Sequence, residues 1–261
     1  MNLNKIEGKV YINKDIYPEK EIRNNEGDKT IEKVPFVDAS FRKNLEEKCS
    51  PDVRQFIKKD KFIEHSLLSL MDHHQKTFDH SVEVGNIAAY IAKRIKNSEL
   101  EGNEENIIAT ALLHDYGKLA IDKKILDKRS KLKPEEMEII KQHVLYSFKL
   151  VNQVNDLWAK VIIAHHEFQK DSYPRSHEDT IEREKREADV RVKRLARILA
   201  MIDTYEAMID DRPGNPSKSI KQINVELNKQ FISPSDQEVI FLLKQYYMEK
   251  NPDNKIDAVF N

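Results

Sequence analysis

From about Phe62 onward, apolar residues recur at the spacing of an α-helix, and this periodicity limits the fold more than any other feature. Val82 and Ala89 follow the repeat, and residues 107–113 are almost wholly apolar. A further helix is predicted over 134–148, because proline fits a first turn and the two glutamates that follow complement the helix dipole. The pattern therefore predicts an all-α bundle over residues 61–261. Its later helices are predicted at about 154–166, 186–209, 217–230 and 235–249.

Residues 1–60 differ from the rest of the chain. A short β-favouring run, Lys9-Val10-Tyr11-Ile12, is followed by turn signals at Pro18 and Gly27. We interpret this segment as an N-terminal arm that is irregular or partly β.

Composition and charge exclude several classes of protein. Only 6 glycines occur in 261 residues, which disfavours the glycine-rich loops of P-loop and dinucleotide-binding folds. The 44 basic residues nearly balance the 45 acidic ones, so no footprint for a nucleic acid duplex is evident. No signal peptide and no apolar run long enough to span a membrane is found. A single cysteine, Cys49, cannot form an intramolecular disulfide, and we expect a cytoplasmic protein.

A segment of about 176–194 is strongly charged and mixed in sign. Glu178 to Arg194 carries six acidic and six basic side chains. Such a pattern is typical of a solvated helix face, and a cover over a pocket is the alternative. A homodimer contact or a protein partner, through this insertion or through the arm, is also compatible with the sequence.

Histidines and carboxylates interrupt the apolar helices at five separated places. Any one of these histidines alone is more often a satisfied core or surface residue. Together they predict one shared metal site, because buried carboxylates and imidazoles need partners, and a helical bundle supplies ligands from facing helices. Imidazole and carboxylate without thiolate suit Fe, Mn, Co, Ni or Zn. The candidate ligands are His80, His114, Asp115, His143, His165, His166 and Asp203.

This order of residues resembles the HD superfamily of metal-dependent phosphohydrolases, and in detail its HD-GYP branch, whose best-known members hydrolyse cyclic di-GMP. The resemblance covers about residues 78–245. It is carried by Leu112-Leu113-His114-Asp115-Tyr116-Gly117-Lys118, His165-His166-Glu167, Ile202-Asp203-Thr204-Tyr205-Glu206 and Asp211-Arg212-Pro213.

The resemblance implies an HD-domain helical bundle with two divalent ions, of which Fe or Mn is favoured. By this resemblance, His80, His114, Asp115 and Asp203 would hold one ion, and Asp115 would bridge to a second ion held by His143, His165 and His166. A hydroxide between the ions would then attack phosphorus. A glutamate that supports a third ion in some relatives is replaced by Lys76.

The resemblance also assigns residues that contact substrate. Lys118 is placed near the scissile phosphate, as a charge stabiliser or a proton donor to the leaving oxygen. Arg212 is placed to bind a phosphate through its guanidinium fork, and Tyr173 belongs to a loop that shapes the pocket. The expected substrate is a nucleotide second messenger, cyclic di-GMP first.

The sequence departs from the branch at that loop. The Gly-Tyr-Pro motif appears as Ser172-Tyr173-Pro174, one position is missing before it, and the aromatic and arginine expected after Pro213 are absent. Another nucleotide substrate and a catalytically silent nucleotide-binding or partner-binding module are therefore alternatives. A di-iron oxygenase using the same ligands is a further one.

Overall fold

The computed structural model describes residues 19–23, 29–33, 39–95, 101–168, 188–210 and 216–252. The chain divides into two compact units, Met1–Leu45 and Glu46–Asn261. The boundary between the units, after Leu45, lies earlier in the chain than residue 60, where the predicted arm ends. The predicted organisation into an arm of residues 1–60 and a helical domain of residues 61–261 stays a prediction.

The first unit contains a two-stranded antiparallel sheet. Strand β1 (Glu19–Arg23) pairs with β2 (Lys29–Lys33), with Glu19 opposite Lys33. The run Lys9–Ile12, which the sequence favours as a strand, lies outside the described residues. Helix α1 (Ala39–Lys48) follows in the chain.

The second unit is built from helices in its described part, so the all-α prediction is confirmed. The helices after α1 are α2 (Pro51–Lys59), α3 (Lys61–His73), α4 (Gln75–Ala92), α5 (Glu104–Leu113), a 3-10 helix (Tyr116–Ala120), α6 (Lys123–Leu126), α7 (Pro134–Lys141), α8 (His143–Val151), α9 (Asp156–Ala164), α10 (Val190–Ile209), α11 (Ile220–Gln230) and α12 (Pro234–Lys250). None of the described helices is long and apolar enough to cross a bilayer.

Two bounds differ from the sequence prediction. Helix α2 lies in the segment interpreted as irregular, where Ser50 caps the helix by accepting from the Val53 N–H and Pro51 occupies the first turn. The single helix predicted over residues 134–148 is two helices, α7 and α8, separated by Gln142. His143 is therefore the first residue of a helix and not an interior one.

Helices α4 and α10 form the centre of this unit. Helix α4 packs against α3, α5, α10 and α12, and α10 also packs against α9. Their facing side chains include the fully buried Val84, Ile91, Leu199 and Ile202. Apolar burial of this kind is the main stabilising term of the bundle.

An ion pair between Arg197 of α10 and the buried Asp236 of α12 connects these two helices. Asp236 is completely buried and accepts two hydrogen bonds from the Arg197 guanidinium, at 2.8 and 2.7 Å. The same carboxylate accepts the Ser233 N–H at 2.9 Å in the cap of α12. Burial opposes ionisation of Asp236, but the hydrogen bonds from Arg197 and Ser233 outweigh it and hold its pKa below the ordinary value.

We expect Asp236→Asn to lower the free energy of unfolding by about 3 kcal/mol, because it leaves the Arg197 charge without its partner. The pKa of Asp236 is lower in the folded protein than its unfolded value of 3.8, so the ionised carboxylate stabilises the fold at pH values above 3.8. This stabilisation is lost as the pH falls through the folded-state pKa. The difference between the variant and the natural protein should thus shrink below about pH 4. Denaturant melts across pH would measure it. Asp156→Asn, which removes the exposed pair with Lys160, is the matched control and should change stability by less than about 0.5 kcal/mol.

Candidate metal centre

The seven predicted ligands lie on five elements that meet in the core of the bundle. His80 is on α4, the pair His114 and Asp115 follows α5, and His143 begins α8. His165 and His166 follow α9, and Asp203 lies within α10. All seven side chains are buried.

The ligand atoms separate into two groups. One group comprises His80, His114 and Asp203, and the other comprises His143, His165 and His166. Within each group the candidate ligand atoms all lie within 4.8 Å of one another. The grouping is the same as the division between two ions that the family resemblance implies, and the role of each side chain as a ligand stays a prediction.

The first group is compact. His80 Nε2 lies 3.1 Å from His114 Nε2 and 3.1 Å from Asp203 Oδ1, and His114 Nε2 lies 3.8 Å from the same oxygen. Ligands bound about 2.1 Å from one ion are separated by roughly these distances. The spacing therefore suits a single first-row cation.

Asp115 lies between the two groups. Its Oδ2 is 3.6 Å from His80 Nε2 and 3.5 Å from His114 Nε2, whereas its Oδ1 is 3.2 Å from His143 Nε2. Each oxygen of this carboxylate thus faces a different group. This is the position that a bridging ligand requires.

Hydrogen bonds at Nδ1 fix the tautomer of four imidazoles. The Nδ1 atoms of His114, His143 and His165 lie 2.7, 2.8 and 2.5 Å from the carbonyl oxygens three residues earlier. His80 Nδ1 donates to the carboxylate of Glu206. Because carbonyl and carboxylate oxygens only accept, each Nδ1 must carry the proton. In the neutral form of each ring, Nε2 then offers its lone pair toward the shared centre, as metal ligation requires.

The protonation states of the histidines follow from burial and neighbouring charge. Burial lowers the pKa of His143 and of His165 to about 3, and it also lowers that of His114. Burial acts in the same direction on His80, but the nearby Glu206, Asp203 and Asp115 outweigh it and raise the pKa to about 9. Neutral imidazoles are the form that binds a cation, so His80 would have to release its Nε2 proton to serve as a ligand.

Two further observations show that the residues fit a metal. His165 Nε2 is fully buried and has no hydrogen-bond partner among the described residues, although its lone pair faces a cluster of other ligand atoms. The donor set of imidazoles and carboxylates without thiolate is that of Fe, Mn, Co, Ni or Zn sites. A buried acceptor left without a partner is costly, and a bound cation satisfies it.

A family model described as HD domain matches residues 77–208, just over half of the chain. The chain belongs to the HD domain family. The predicted membership is confirmed, and the matched residues include every candidate ligand.

Curated relatives of this HD domain protein are named cyclic dinucleotide phosphodiesterases, which supports its assignment to the HD-GYP branch. A cyclic di-GMP phosphodiesterase of Thermotoga maritima is 31% identical over 191 residues, which cover 68% of this chain and 49% of that protein. A cyclic di-GMP phosphodiesterase of Pseudomonas aeruginosa is 29% identical, covering 57% of this chain and 34% of that protein. A 3'3'-cGAMP-specific phosphodiesterase of Vibrio cholerae is also 29% identical, covering 57% and 32%. The chain thus spans between about a third and a half of the length of the curated relatives it matches.

Close packing holds the turn after Asp115 in the HD domain. The Gly117 N–H donates to Ser147 Oγ at 2.7 Å, and that hydroxyl donates to the His114 carbonyl at 2.8 Å. A Cβ atom on Gly117 would lie 2.0 Å from the carbonyl oxygen of His143. Only glycine therefore allows the 3-10 helix to approach α8 this closely.

This packing places Lys118 beside the Asp115 carboxylate. Lys118 Nζ lies 2.5 Å from Asp115 Oδ2, and its side chain is 19% exposed. Burial opposes ionisation of Asp115, but Lys118 and the surrounding imidazoles hold its pKa well below the ordinary value. The cationic amine thus borders the candidate metal centre.

The other predicted substrate contacts fall outside the part of the chain that the structure describes. Tyr173 and Arg212 lie outside the described residues, as do the altered loop Asp171–Pro174 and the part of the charged insertion before residue 188. Their roles stay predictions.

Glu206 is the site residue that the sequence analysis did not single out. Its carboxylate accepts the hydrogen bond from His80 Nδ1, and it lies one helical turn after Asp203 on α10. This spacing was the signal available in the sequence. An imidazole that donates to a carboxylate is a stronger ligand and is fixed in orientation.

We expect Glu206→Gln to weaken the affinity for metal by about 10-fold to 100-fold, because His80 loses the charged acceptor that orients it. Titration of the metal-free variant with Mn²⁺, followed by a competing chelator, would measure the change. Glu226→Gln, which removes an exposed carboxylate paired with Lys229, is the control. Equal affinity in both variants would contradict an orienting role for Glu206.

Proposed function

We propose that the protein is a metal-dependent phosphodiesterase that hydrolyses a cyclic dinucleotide, with cyclic di-GMP as the leading substrate. The observation that carries the proposal is the position of Asp115 between the two ligand groups. Its Oδ2 faces the first group, and its Oδ1 faces the second. The names of the relatives from Thermotoga maritima and Pseudomonas aeruginosa support the choice of substrate.

Two divalent cations fit the donor set, and Fe and Mn are the identities proposed. His80, His114 and Asp203 would hold one ion and His143, His165 and His166 the other, with Asp115 shared. Bound there, the cations supply Lewis-acid stabilisation of the phosphoryl oxygens and lower the pKa of a coordinated water. The attack by a metal-bridging hydroxide that the resemblance implies stays part of this proposal.

The remaining chemistry falls to side chains of the chain itself. The Lys118 ammonium borders Asp115 and carries a positive charge that stabilises negative charge developing on a phosphate. The four imidazoles keep their protons at Nδ1 on carbonyl or carboxylate acceptors, so their Nε2 lone pairs stay available. Burial of the whole set excludes bulk water and strengthens each of these interactions.

A second candidate substrate is 3'3'-cGAMP. Two relatives from Vibrio cholerae are named 3'3'-cGAMP-specific phosphodiesterases, at 29% and 25% identity. The replacement of the glycine before Tyr173 by Ser172 favours a pocket that differs from that of cyclic di-GMP enzymes. Both candidates share the phosphodiester bond, so the proposed chemistry is the same. A homodimer or protein partner and a cytoplasmic location remain predictions from the sequence.

The test is an assay of the purified protein loaded with Mn²⁺ or, without oxygen, with Fe²⁺. Substrates are cyclic di-GMP, 3'3'-cGAMP, a linear dinucleotide, cyclic AMP and guanosine tetraphosphate, and products are separated by chromatography. We expect a cyclic dinucleotide to be cleaved to a linear product or mononucleotide, and chelation to stop turnover.

The alternatives give different results in the same assay. Tight nucleotide binding without turnover under either metal would show a silent binding module. Hydrolysis of only a mononucleotide would support the assignment as a phosphohydrolase and would contradict a cyclic dinucleotide as its substrate. Oxygen consumption when air is admitted to the Fe²⁺-loaded protein, without hydrolysis of any phosphate ester, would favour an oxygenase.

A further inference from the structure

A basic segment follows the turn that carries Lys118. Residues 123–133 contain six basic side chains and one carboxylate, that of Asp127, although the chain as a whole is close to neutral. They form the short helix α6 and the loop that leads to α7. Because the residues are consecutive, their positive charges are concentrated in one small region. The six basic residues are Lys123, Lys124, Lys128, Arg129, Lys131 and Lys133.

Three of these charges are exposed and unpaired within the described part of the chain. The Lys124, Arg129 and Lys131 side chains lie at the surface, and none of them forms an ion pair with another described residue. Lys128 differs, because its ammonium pairs with the Glu136 carboxylate of α7. Cations without a nearby carboxylate attract an anionic ligand over a distance of about one Debye length, about 8 Å at physiological ionic strength.

Polar contacts hold the segment against the junction between α3 and α4. His73 Nε2 donates to the Ile121 carbonyl oxygen at 2.9 Å, just before the segment begins. His74 Nε2 lies 3.3 Å from Asp127 Oδ1, at the end of α6. The segment therefore has a fixed place beside the first turn of α4, the helix that carries His80.

Lys118 connects this segment with the candidate metal centre. The seven candidate ligands are buried, whereas the Lys118 side chain is 19% exposed, which indicates that the centre opens to solvent on the side of this amine. Burial lowers the pKa of His74, Asp127 opposes this effect, and the Lys118 charge adds to it. Lys118 and the end of α6 thus act on the same imidazole, so the basic segment lies beside the open side of the centre.

The extent of the positive region favours a small anion over an extended one. The next helix, α7, exposes Glu135 and Glu138, whose charges would repel a nucleic acid duplex or an anionic bilayer that lay across both elements. A cyclic dinucleotide carries two phosphodiester charges within one compact molecule, and it must approach the centre from its open side. The basic segment complements the charge of such a ligand.

We propose that residues 123–133 guide the anionic nucleotide substrate to the metal centre and thereby raise its association rate. The charges that act on the substrate are those of Lys124, Arg129 and Lys131. The substrate reaches Lys118 and the candidate ligands only after this encounter, so the segment affects capture and not the chemical step. The identity of the anion rests on the proposed function, to which this proposal adds a substrate-capturing surface.

The experiment measures the association of a fluorescent cyclic di-GMP analogue with the Mn²⁺-loaded full chain by stopped-flow mixing. In a triple variant that combines Lys124→Gln, Arg129→Gln and Lys131→Gln, we expect the association rate constant at low salt to fall by about 5-fold or more. The dissociation rate constant and kcat should change by less than about 2-fold, because exposed charges act mainly on the encounter. The difference from the natural protein should disappear near about 0.5 M salt, where the Debye length is about 4 Å.

A second triple variant is the matched control. Lys58→Gln, Lys59→Gln and Lys221→Gln together remove the same number of exposed positive charges from α2 and α11. The association rate constant of this control should stay within about 2-fold of the natural value. Arg129→Glu alone provides a further test, because reversal of one exposed charge should slow association without lowering the melting temperature.

The proposal is overturned if the first triple variant and the natural protein associate with the probe equally fast at low salt. Equal slowing of the control variant also overturns it, because net charge and not this segment would then set the rate. Absence of any saturable binding of the probe has the same consequence. Cleavage of the probe is measured in parallel, and binding with the expected salt dependence but without cleavage would reject the phosphodiesterase and support the capture of an anionic nucleotide.

Discussion

Asp115→Asn is expected to lower turnover of the cyclic dinucleotide by about 10³-fold or more and to reduce the metal content of the purified protein. Among the described residues, the Asp115 carboxylate alone has oxygens facing both ligand groups, 3.2 Å from His143 and 3.5 Å from His114. An asparagine offers one neutral oxygen, and its amide nitrogen cannot bind a cation. The substitution therefore weakens both metal positions at once.

The measurement combines metal analysis with the initial rate on cyclic di-GMP. Asp203→Asn provides a comparison, because Asp203 belongs to the first group alone and its loss should spare the ion held by His143, His165 and His166. Asp52→Asn, an exposed carboxylate paired with Lys93, is the control and should behave as the natural protein does. An Asp115→Asn protein that keeps both ions and turns over within tenfold of the natural rate would refute the bridging role.

The convergence of the seven candidate ligands could be predicted because the signal lies in local sequence. His114-Asp115 ends an apolar helix, His165-His166 ends another, and Asp203 interrupts a third. Helices with one apolar face must pack together, and polar residues on or beside those faces then meet in the core. The resemblance to HD phosphohydrolases supplied the division into two groups.

The contacts that orient the ligands could not be predicted in the same way. His80 and Glu206 are 126 positions apart, so their hydrogen bond depends on how α4 and α10 pack. The carbonyl partners of His114, His143 and His165 depend on backbone geometry at helix ends, which residue type alone does not specify. Side-chain identity predicts which groups can bind a metal, and tertiary packing decides which nitrogen faces it.

The start of α8 is a feature of the fold that the sequence pattern did not predict. The apolar periodicity over residues 134–148 is continuous, and neither glycine nor proline marks a break at Gln142. A new helix nevertheless begins at His143. The hydrogen bond from its Nδ1 to the Ile140 carbonyl oxygen then fixes the orientation of the ring. A break without a breaker residue arises from packing, here of α8 against the 3-10 helix, where Gly117 permits close approach.

Lys118→Met is expected to lower kcat by about 10²-fold to 10³-fold and to leave the metal content unchanged. The ammonium lies beside Asp115 but is not a metal ligand, so its loss removes positive charge next to the reacting phosphate without removing a donor to the ions. Rates at saturating cyclic di-GMP, together with metal analysis, measure the two effects. Lys160→Met, which removes a partly buried amine paired with the exposed Asp156, is the matched control.

Lys118→Arg separates the two roles assigned to the amine. Arginine stays protonated at any pH used for assay, so it can stabilise charge but cannot give a proton to the leaving oxygen. Recovery of most of the rate in Lys118→Arg would indicate charge stabilisation, and a rate as low as that of Lys118→Met would indicate proton donation. Loss of metal from Lys118→Met would instead show that the lysine supports the fold of the turn after Asp115, and both catalytic roles would then be rejected.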